Sequence, residues 1–412
     1  MRLPRVDHPG PYALLALTCV LGWWFKAHCG ASWTGDEQYL TGCYSDAVPF
    51  WGLRGVAAGQ LPYVEARIEY PVLTGALIWL EGLVVRTIGG ARGDAFDFLL
   101  VVSLVNAALA FAVLWMMERA GVPRGRRWWW AGAPPLVLYL GHNWDMLAVA
   151  LAVAALLAAR RAATRVGAAL AAIGTAAKLF PVLLLPLLGL GALLRRRAVW
   201  QARFAASATL SLVALGTWTT INLPVALAAP ANWAEFYSFS QARSGTAASI
   251  WEIMATQGWW ITDLPTRNLW SFAAFVAGAA AIVLVGWRRH AERSWVLFTP
   301  VLAWFLLTNK VYSPQFDLWL YPFLLLTSRR LWPVAWFVAG DLGAYWAEFW
   351  FFASPGGSGP GITQTHIAFA AAFRGAAMLW LIVDAVRSRP AAWLIPPPAA
   401  SPPPASRPIP AG

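Results

Sequence analysis

Long apolar runs recur along this chain from residue 12 to residue 386, and short arginine-bearing loops separate them. That pattern excludes most folds. A soluble domain cannot hide so many apolar segments in one core, whereas a bilayer solvates them and obliges each to satisfy its backbone as a helix. Composition agrees: 59% of the 412 residues are hydrophobic and 12% are charged, about half the charged share of an ordinary soluble domain. The expected fold class is all-α, a polytopic transmembrane helical bundle. The formal charge of +12 would by itself suggest nucleic acid. Here the arginines cluster in short loops, which is the distribution of a positive-inside membrane protein.

The first expected span covers residues 11–27, with Arg2 and Arg5 left in a cytoplasmic N-terminus, residues 1–10. A basic start before an apolar run also suits a signal peptide, but no small-x-small cleavage site follows cleanly. Next comes the polar stretch GASWTGDEQYLTGCYSDAVPFWGLRGVAAGQLPYVEARIEYPVLTG, residues 30–75. It reads as a catalytic segment within a long outer loop, 29–97. Pro71 is a good helix start, and the helix 72–88 should lie in the interface, because Glu81 and Arg86 are costly in hydrocarbon. Further spans are expected at 98–117, 128–140 and 146–159, with the turn GHNWD outside. Residues 166–194 have arginines on both sides and are too short for two passes of a ~30 Å core at ~1.5 Å per residue. They must form two short or re-entrant helices meeting at residues 178–181.

The remaining runs, with a second outer loop at 224–267, bring the expectation to about twelve passes with both termini cytoplasmic. The membrane domain then spans 11–389, and the proline-rich tail 390–412 should be disordered. Arg374 lies within the last span and needs a partner in the bundle, for which Asp341 is a candidate. Three cysteines make no disulfide framework, but Cys29 and Cys43 both fall outside the cytoplasm, where a bridge can form.

Acidic residues gather on the outer side, opposite to the basic ones. Asp46, in CYSDAVPF, is framed by Tyr44 and Phe50 and suits a general base toward a hydroxyl; its plainer reading is a helix cap or a solvated loop acid. Glu69, before Tyr70 and Pro71, caps the following helix or orients a sugar. In GHNWD, Asn143 and Asp145 offer an amide and a carboxylate to hydroxyls, with an indole for a sugar face. The alternative is an interfacial turn with a Trp anchor. Lys178, in TAAKLFP, must face a cavity or a negative partner, since an unpaired ammonium in lipid is expensive, and a phosphate suits its point charge. Lys310, in TNKVYSPQ with Gln315, sits at another outer helix end, where snorkelling competes with substrate contact. Arg243 supplies a further cation in the second outer loop. There is no Gly-rich phosphate loop, Walker pattern, DxD pair or Cys/His cluster at metal spacing. A donor should therefore arrive through the membrane, and neither a metal nor a cofactor is expected.

In this order, YSD, GQLPYVEARIEYPVLTG, GHNWD, AAKLFPVLLLP and NKVYSPQFDLWLYP resemble the actinobacterial polytopic glycosyltransferases of the GT-C fold, specifically glycosyltransferase family 87. The resemblance covers about residues 11–386. It implies a polyprenyl-phosphate sugar donor, with mannose the expected sugar, and a membrane glycolipid or glycan acceptor at the outer face. It also implies inverting transfer, with Asp46 as base and Lys178, or secondarily Lys310, on the donor phosphate. Val72 stands where the family often has a second proline, and Asp36 and Glu37 form a rival acidic pair. The same fold also houses arabinosyl- and glucosyltransferases. Outside the family, a lipid-linked sugar flippase or transporter is the alternative; it needs polar groups along a whole path, and many such folds show internal repeats that are not evident here.

Overall fold

The computed structural model describes residues 8–395 apart from 196–197, 356 and 358. Arg2, Arg5 and most of the proline-rich tail expected to be disordered lie outside the described residues. Among the described residues the chain is helical throughout, with no strand and one isolated bridge between Pro62 and Ala66.

Five of the described helices are long and apolar enough to cross a membrane: Val72–Gly89, Ala95–Arg119, Trp200–Ala228, Leu264–His290 and Gln364–Arg387. The segments Phe180–Leu193 and Arg293–Thr308 are apolar but shorter. Several expected spans are in pieces. Residues 128–140 are divided between Arg124–Ala131 and Pro134–Tyr139, because Pro134 and Pro135 cannot donate to a preceding turn. The break expected near Lys178 is present. The helix Thr164–Ala177 ends there, Lys178 is extended (φ −159°, ψ 147°), and a short 3₁₀ turn, Phe180–Leu183, leads into Leu184–Leu193.

The helix Val72–Gly89, expected in the interface, is long and apolar enough to cross a membrane. That expectation rested on the charge of Glu81, but Glu81 is buried and accepts a 2.6 Å hydrogen bond from Trp144 Nε1. Arg86 donates to the Val56 carbonyl. These partners lower the cost of both groups in hydrocarbon, although Glu81 Oε1 is buried without one.

The large core joins the first helix, Gly10–Ala27, to the later helices of the chain. A smaller core lies under the polar N-terminal loop, where Phe50, Tyr63, Ile68 and Tyr70 pack with Ile78, Phe98 and Trp144. The loop is therefore a folded element with its own apolar underside. Its conformation is set at two ends. A disulfide joins Cys29 to Cys43. Between them and the bundle, Gly42 adopts φ 71°, and an added Cβ would meet Phe25, Tyr345 and Trp346 at 3.1 Å. The Gly42 carbonyl accepts from Lys26 Nζ at 2.7 Å and from the Tyr345 hydroxyl, so the loop is pinned by a fully buried lysine.

Arg374 pairs with Asp317, at 2.8 Å, and not with the expected Asp341. Asp341 instead accepts from the Tyr139 hydroxyl. Arg374 reaches this position because Gly340 lets two helices touch: a Cβ there would lie 2.7 Å from the Arg374 Cα. Gly340→Ala should push Trp332–Ala353 away from Gln364–Arg387 and cost on the order of 1–3 kcal/mol. Gly343→Ala, where a Cβ meets nothing within 4 Å, should be neutral. Thermal unfolding of the two variants in detergent checks the difference.

Candidate active site

Four sequence-distant segments meet around Asp46. The Cys29–Cys43 bridge and the Tyr44 amide, which donates to the Gln38 carbonyl at 3.1 Å, hold the strand-like approach. The Asp46 amide then donates to the His142 carbonyl at 2.8 Å, which joins the loop to the GHNWD turn. Asn106 supports that turn from below, donating to the carbonyls of Leu140 and Asn143, each at 2.7 Å.

Asp46 precedes the short helix Ala47–Leu53 but its side chain does not cap it. The carboxylate instead accepts from two phenols: Tyr44 at 2.9 Å on Oδ1 and Tyr70 at 2.7 Å on Oδ2. Each oxygen keeps a further lone pair. Asp46 retains some accessible surface, yet protein surrounds it closely enough for burial to raise its pKa above the usual carboxylate value. The two phenols and the Lys178 charge pull the other way, and Asp145 adds to the rise. Tyr70 is held well above its ordinary value by burial and by Asp46; Tyr44 is held up by Asp46 first and burial second. Both therefore remain hydrogen-bond donors. Burial, with Lys26 and Lys178 nearby, keeps His142 well below the usual imidazole value, so it is a neutral ring packed between Tyr44, Tyr139 and Phe349.

Lys178 finds the negative partner it needs within the chain. Its Nζ lies 2.7 Å from Asp145 Oδ1, 4.6 Å from the Tyr70 ring centroid and 5.6 Å from that of Trp319. Asp145 Oδ2 accepts from Trp319 Nε1 at 2.7 Å, and its amide donates to Asn143 Oδ1 at 3.0 Å. Asn143 Nδ2 and His142 Nδ1 are buried without a partner. Asp46, Tyr70, Asn143, Asp145 and Lys178 thus form one cluster. An ammonium has three donors, so the pair with Asp145 leaves Lys178 able to bind an anion as well.

The other expected residues lie elsewhere. Glu69 is engaged by Arg54 through two 2.8 Å hydrogen bonds. Lys310 is buried and donates to the Gln241 carbonyl at 2.8 Å; burial, with Arg243 and Arg267 near it, lowers its pKa. Gln315 sits in the turn Pro314–Phe316, beside a ring that stacks on Trp319 at 3.8 Å. Arg243 is exposed at the end of the helix Pro230–Ala242, close enough for its charge to act on Tyr44. The rival Asp36 and Glu37 flank the start of a short helix, Glu37–Leu40, and make no contact with the Asp46 phenols among those described. Trp319 was not foreseen, since nothing in DLWLYP marks it as the partner of a residue 174 positions away.

His28 and the two bridged sulfurs lie close together, but both thiols are spent in the disulfide. An apolar groove of about 710 Å³ counts Leu179, the residue after Lys178, among its lining residues. It lies between Thr164–Ala177, Leu184–Leu193 and Trp200–Ala228, with Ala172, Gly189, Leu210, Ala214 and Trp218 in its walls. In the comparisons with known proteins, no family model matches the chain and no curated protein matches it.

The Lys178–Asp145 pair makes a folding prediction. Lys178→Met strands a buried carboxylate and should cost about 3–5 kcal/mol. Adding Asp145→Asn should recover most of that loss, because the amide carries no charge and still accepts from Trp319. A double-mutant cycle of unfolding free energies measures the coupling.

Proposed function

We propose that this chain is an integral membrane glycosyltransferase of the GT-C type. It moves a sugar, mannose by the resemblance above, from a polyprenyl-phosphate donor to a hydroxyl of a membrane glycolipid or glycan. Transfer takes place on the extracytoplasmic face of a plasma membrane, with inversion, both termini being cytoplasmic. One observation carries this reading: a carboxylate gripped by two phenols, Asp46, lies beside a lysine whose neighbour in sequence, Leu179, lines an apolar groove.

Each part has a chemical use. The groove is lined by small and branched aliphatic residues and suits an isoprenoid chain, whose burial is worth ~25 cal/mol per Å². A lipid seated with its head at Leu179 brings its phosphate to the preceding residue, Lys178. As the acceptor oxygen attacks the anomeric carbon, the bond to the phosphate oxygen breaks and its electron pair leaves with the lipid phosphate. The Lys178 ammonium stabilises that charge. The proton of the attacking hydroxyl passes to Asp46, whose pKa lies closer to neutrality than an ordinary aspartate's, as an efficient base requires. Tyr44 and Tyr70 hold the carboxylate in place, so attack needs no reorganisation. Asn143 and Asp145 offer hydrogen bonds to the transferred sugar.

The test is transfer by purified protein with polyprenyl-phosphate-mannose and an alkyl mannoside acceptor, with donor binding measured separately. Asp46→Asn keeps the shape and removes proton acceptance. Turnover should fall about 100-fold or more while donor binding holds, and Asp36→Asn and Glu69→Gln should stay near the parent. Near-normal transfer by Asp46→Asn would remove it as the base.

The pH profile gives a second check. A base works only when deprotonated, so turnover should rise with pH through the pKa of Asp46. Because that pKa is raised, the acid limb should lie above the ordinary aspartate value of about 4. Tyr70→Phe removes one of the hydrogen bonds that hold it down, so the limb should move to still higher pH. A limb that stays in place, or moves to lower pH, would contradict the assignment.

A further inference from the structure

A second cavity, of about 470 Å³, opens between the segment after Pro230–Ala242 and the end of the helix Trp332–Ala353. The mechanism above does not use it. Its walls include Arg267, Glu252, Thr256, Thr262, Phe351 and Phe352, and its volume is in the range of small-ligand sites.

The chemistry of the lining restricts what can fill it. Arg267 is 8% exposed, and its Nη1 donates to Glu252 Oε2 at 2.6 Å and to the Ser244 carbonyl at 3.3 Å. Its Nε is buried with no partner, which is costly unless an acceptor arrives. Glu252 offers acceptors on the same wall and keeps a third of its side chain accessible. An apolar ligand would leave the Arg267 Nε without an acceptor, and a simple anion would meet the Glu252 carboxylate. A molecule with several hydroxyls satisfies a donor and an acceptor side by side, and the lining residues Phe351 and Phe352 offer apolar contact to its C–H surface. That combination fits a sugar.

The position fits as well. Phe352 lies 5.6 Å from the Tyr39 ring, and Tyr39 stacks on Tyr44 at 6.1 Å and 10°. The Tyr44 hydroxyl holds Asp46 Oδ1, whereas the path from the groove, through Lys178 and Tyr70, ends on Oδ2. The side-chain contacts leading from the cavity and those leading from the groove thus converge on one carboxylate at different oxygens.

We propose that this cavity receives the sugar headgroup of the acceptor. It would hold the hydroxyl-bearing substrate on the Tyr44 side of Asp46 while the lipid donor occupies the Tyr70 side. The inference rests on the transferase reading, but it also makes a binding claim that stands without turnover.

Thr262→Trp fills the cavity, and Ile261→Trp, one residue away, exposed and absent from the lining, places the same bulk outside it. With the alkyl mannoside acceptor, Thr262→Trp should raise the acceptor KM about tenfold or more with donor affinity unchanged, the signature of lost ground-state binding. Ile261→Trp should match the parent. Separately, calorimetric titration of donor-free protein with mannobiose should show binding in the parent and in Ile261→Trp, and its loss in Thr262→Trp. If no variant, the parent included, transfers sugar, yet mannobiose binding follows this pattern, the transferase reading fails and the sugar site stands. An unchanged acceptor KM in Thr262→Trp, equal mannobiose binding by the two variants, or no binding by the parent overturns the inference.

Discussion

The ion pair between Lys178 and Asp145 is the joint on which the candidate site turns. Two charges in so apolar a chain cannot rely on water, and either one alone would be expensive to bury. Where the helix ending at Ala177 gives way, extended backbone at Lys178 carries its ammonium to Asp145. Through Asp145 it also locates the GHNWD turn, whose His142 carbonyl receives the Asp46 amide. A pair of this kind adds little net stability compared with a hydrophobic substitute. What it supplies is placement: three segments far apart in sequence are forced into one register.

The same rule operates through the rest of the interior. Glu81 has Trp144, Arg374 has Asp317, Asp341 has Tyr139, and Lys26 has the Gly42 carbonyl and Tyr345. Each of these contacts ties helices together by a group that would otherwise be stranded. The scaffold they make holds Asp46 between two phenols whose rings are themselves packed, Tyr70 against Phe50 and Trp144, and Tyr44 against Tyr39 and Phe349. Rigid donors around a carboxylate are what a preorganised site requires.

Much of this was legible in the sequence, and the residues that were not share a cause. Apolar periodicity and arginine placement are local properties, so the all-helical class and the interruption at Lys178 could be read directly. Asp46, Asn143, Asp145 and Lys178 stand out because polar groups are rare in such a chain, and the structure brings them together. Partner choice was not legible. Lys178 asked for a negative group, and either a phosphate or a carboxylate would have answered; Asp145 does. Arg374 had two acids within reach, and the one that Tyr139 leaves open takes it. Glu69 looked like a cap until Arg54, fifteen residues earlier, was seen to claim it. Glu81 argued for an interfacial helix only while its indole partner, 63 residues away, was unknown. Such pairings depend on how helices cross, and a linear pattern does not record that.

Gly42, pinned beneath Lys26, has a consequence for how the protein comes into being. Its carbonyl also receives the Tyr345 hydroxyl, across 303 residues of chain, and Lys26 reaches the same phenol across 319. Synthesis begins at the other end. The loop that carries Asp46 is therefore made about 300 residues before the phenol that seats it. A chain halted before Tyr345 holds the acid without that seat. The geometry around Asp46 waits for Tyr345, and its completion certifies that the intervening helices have been made and assembled.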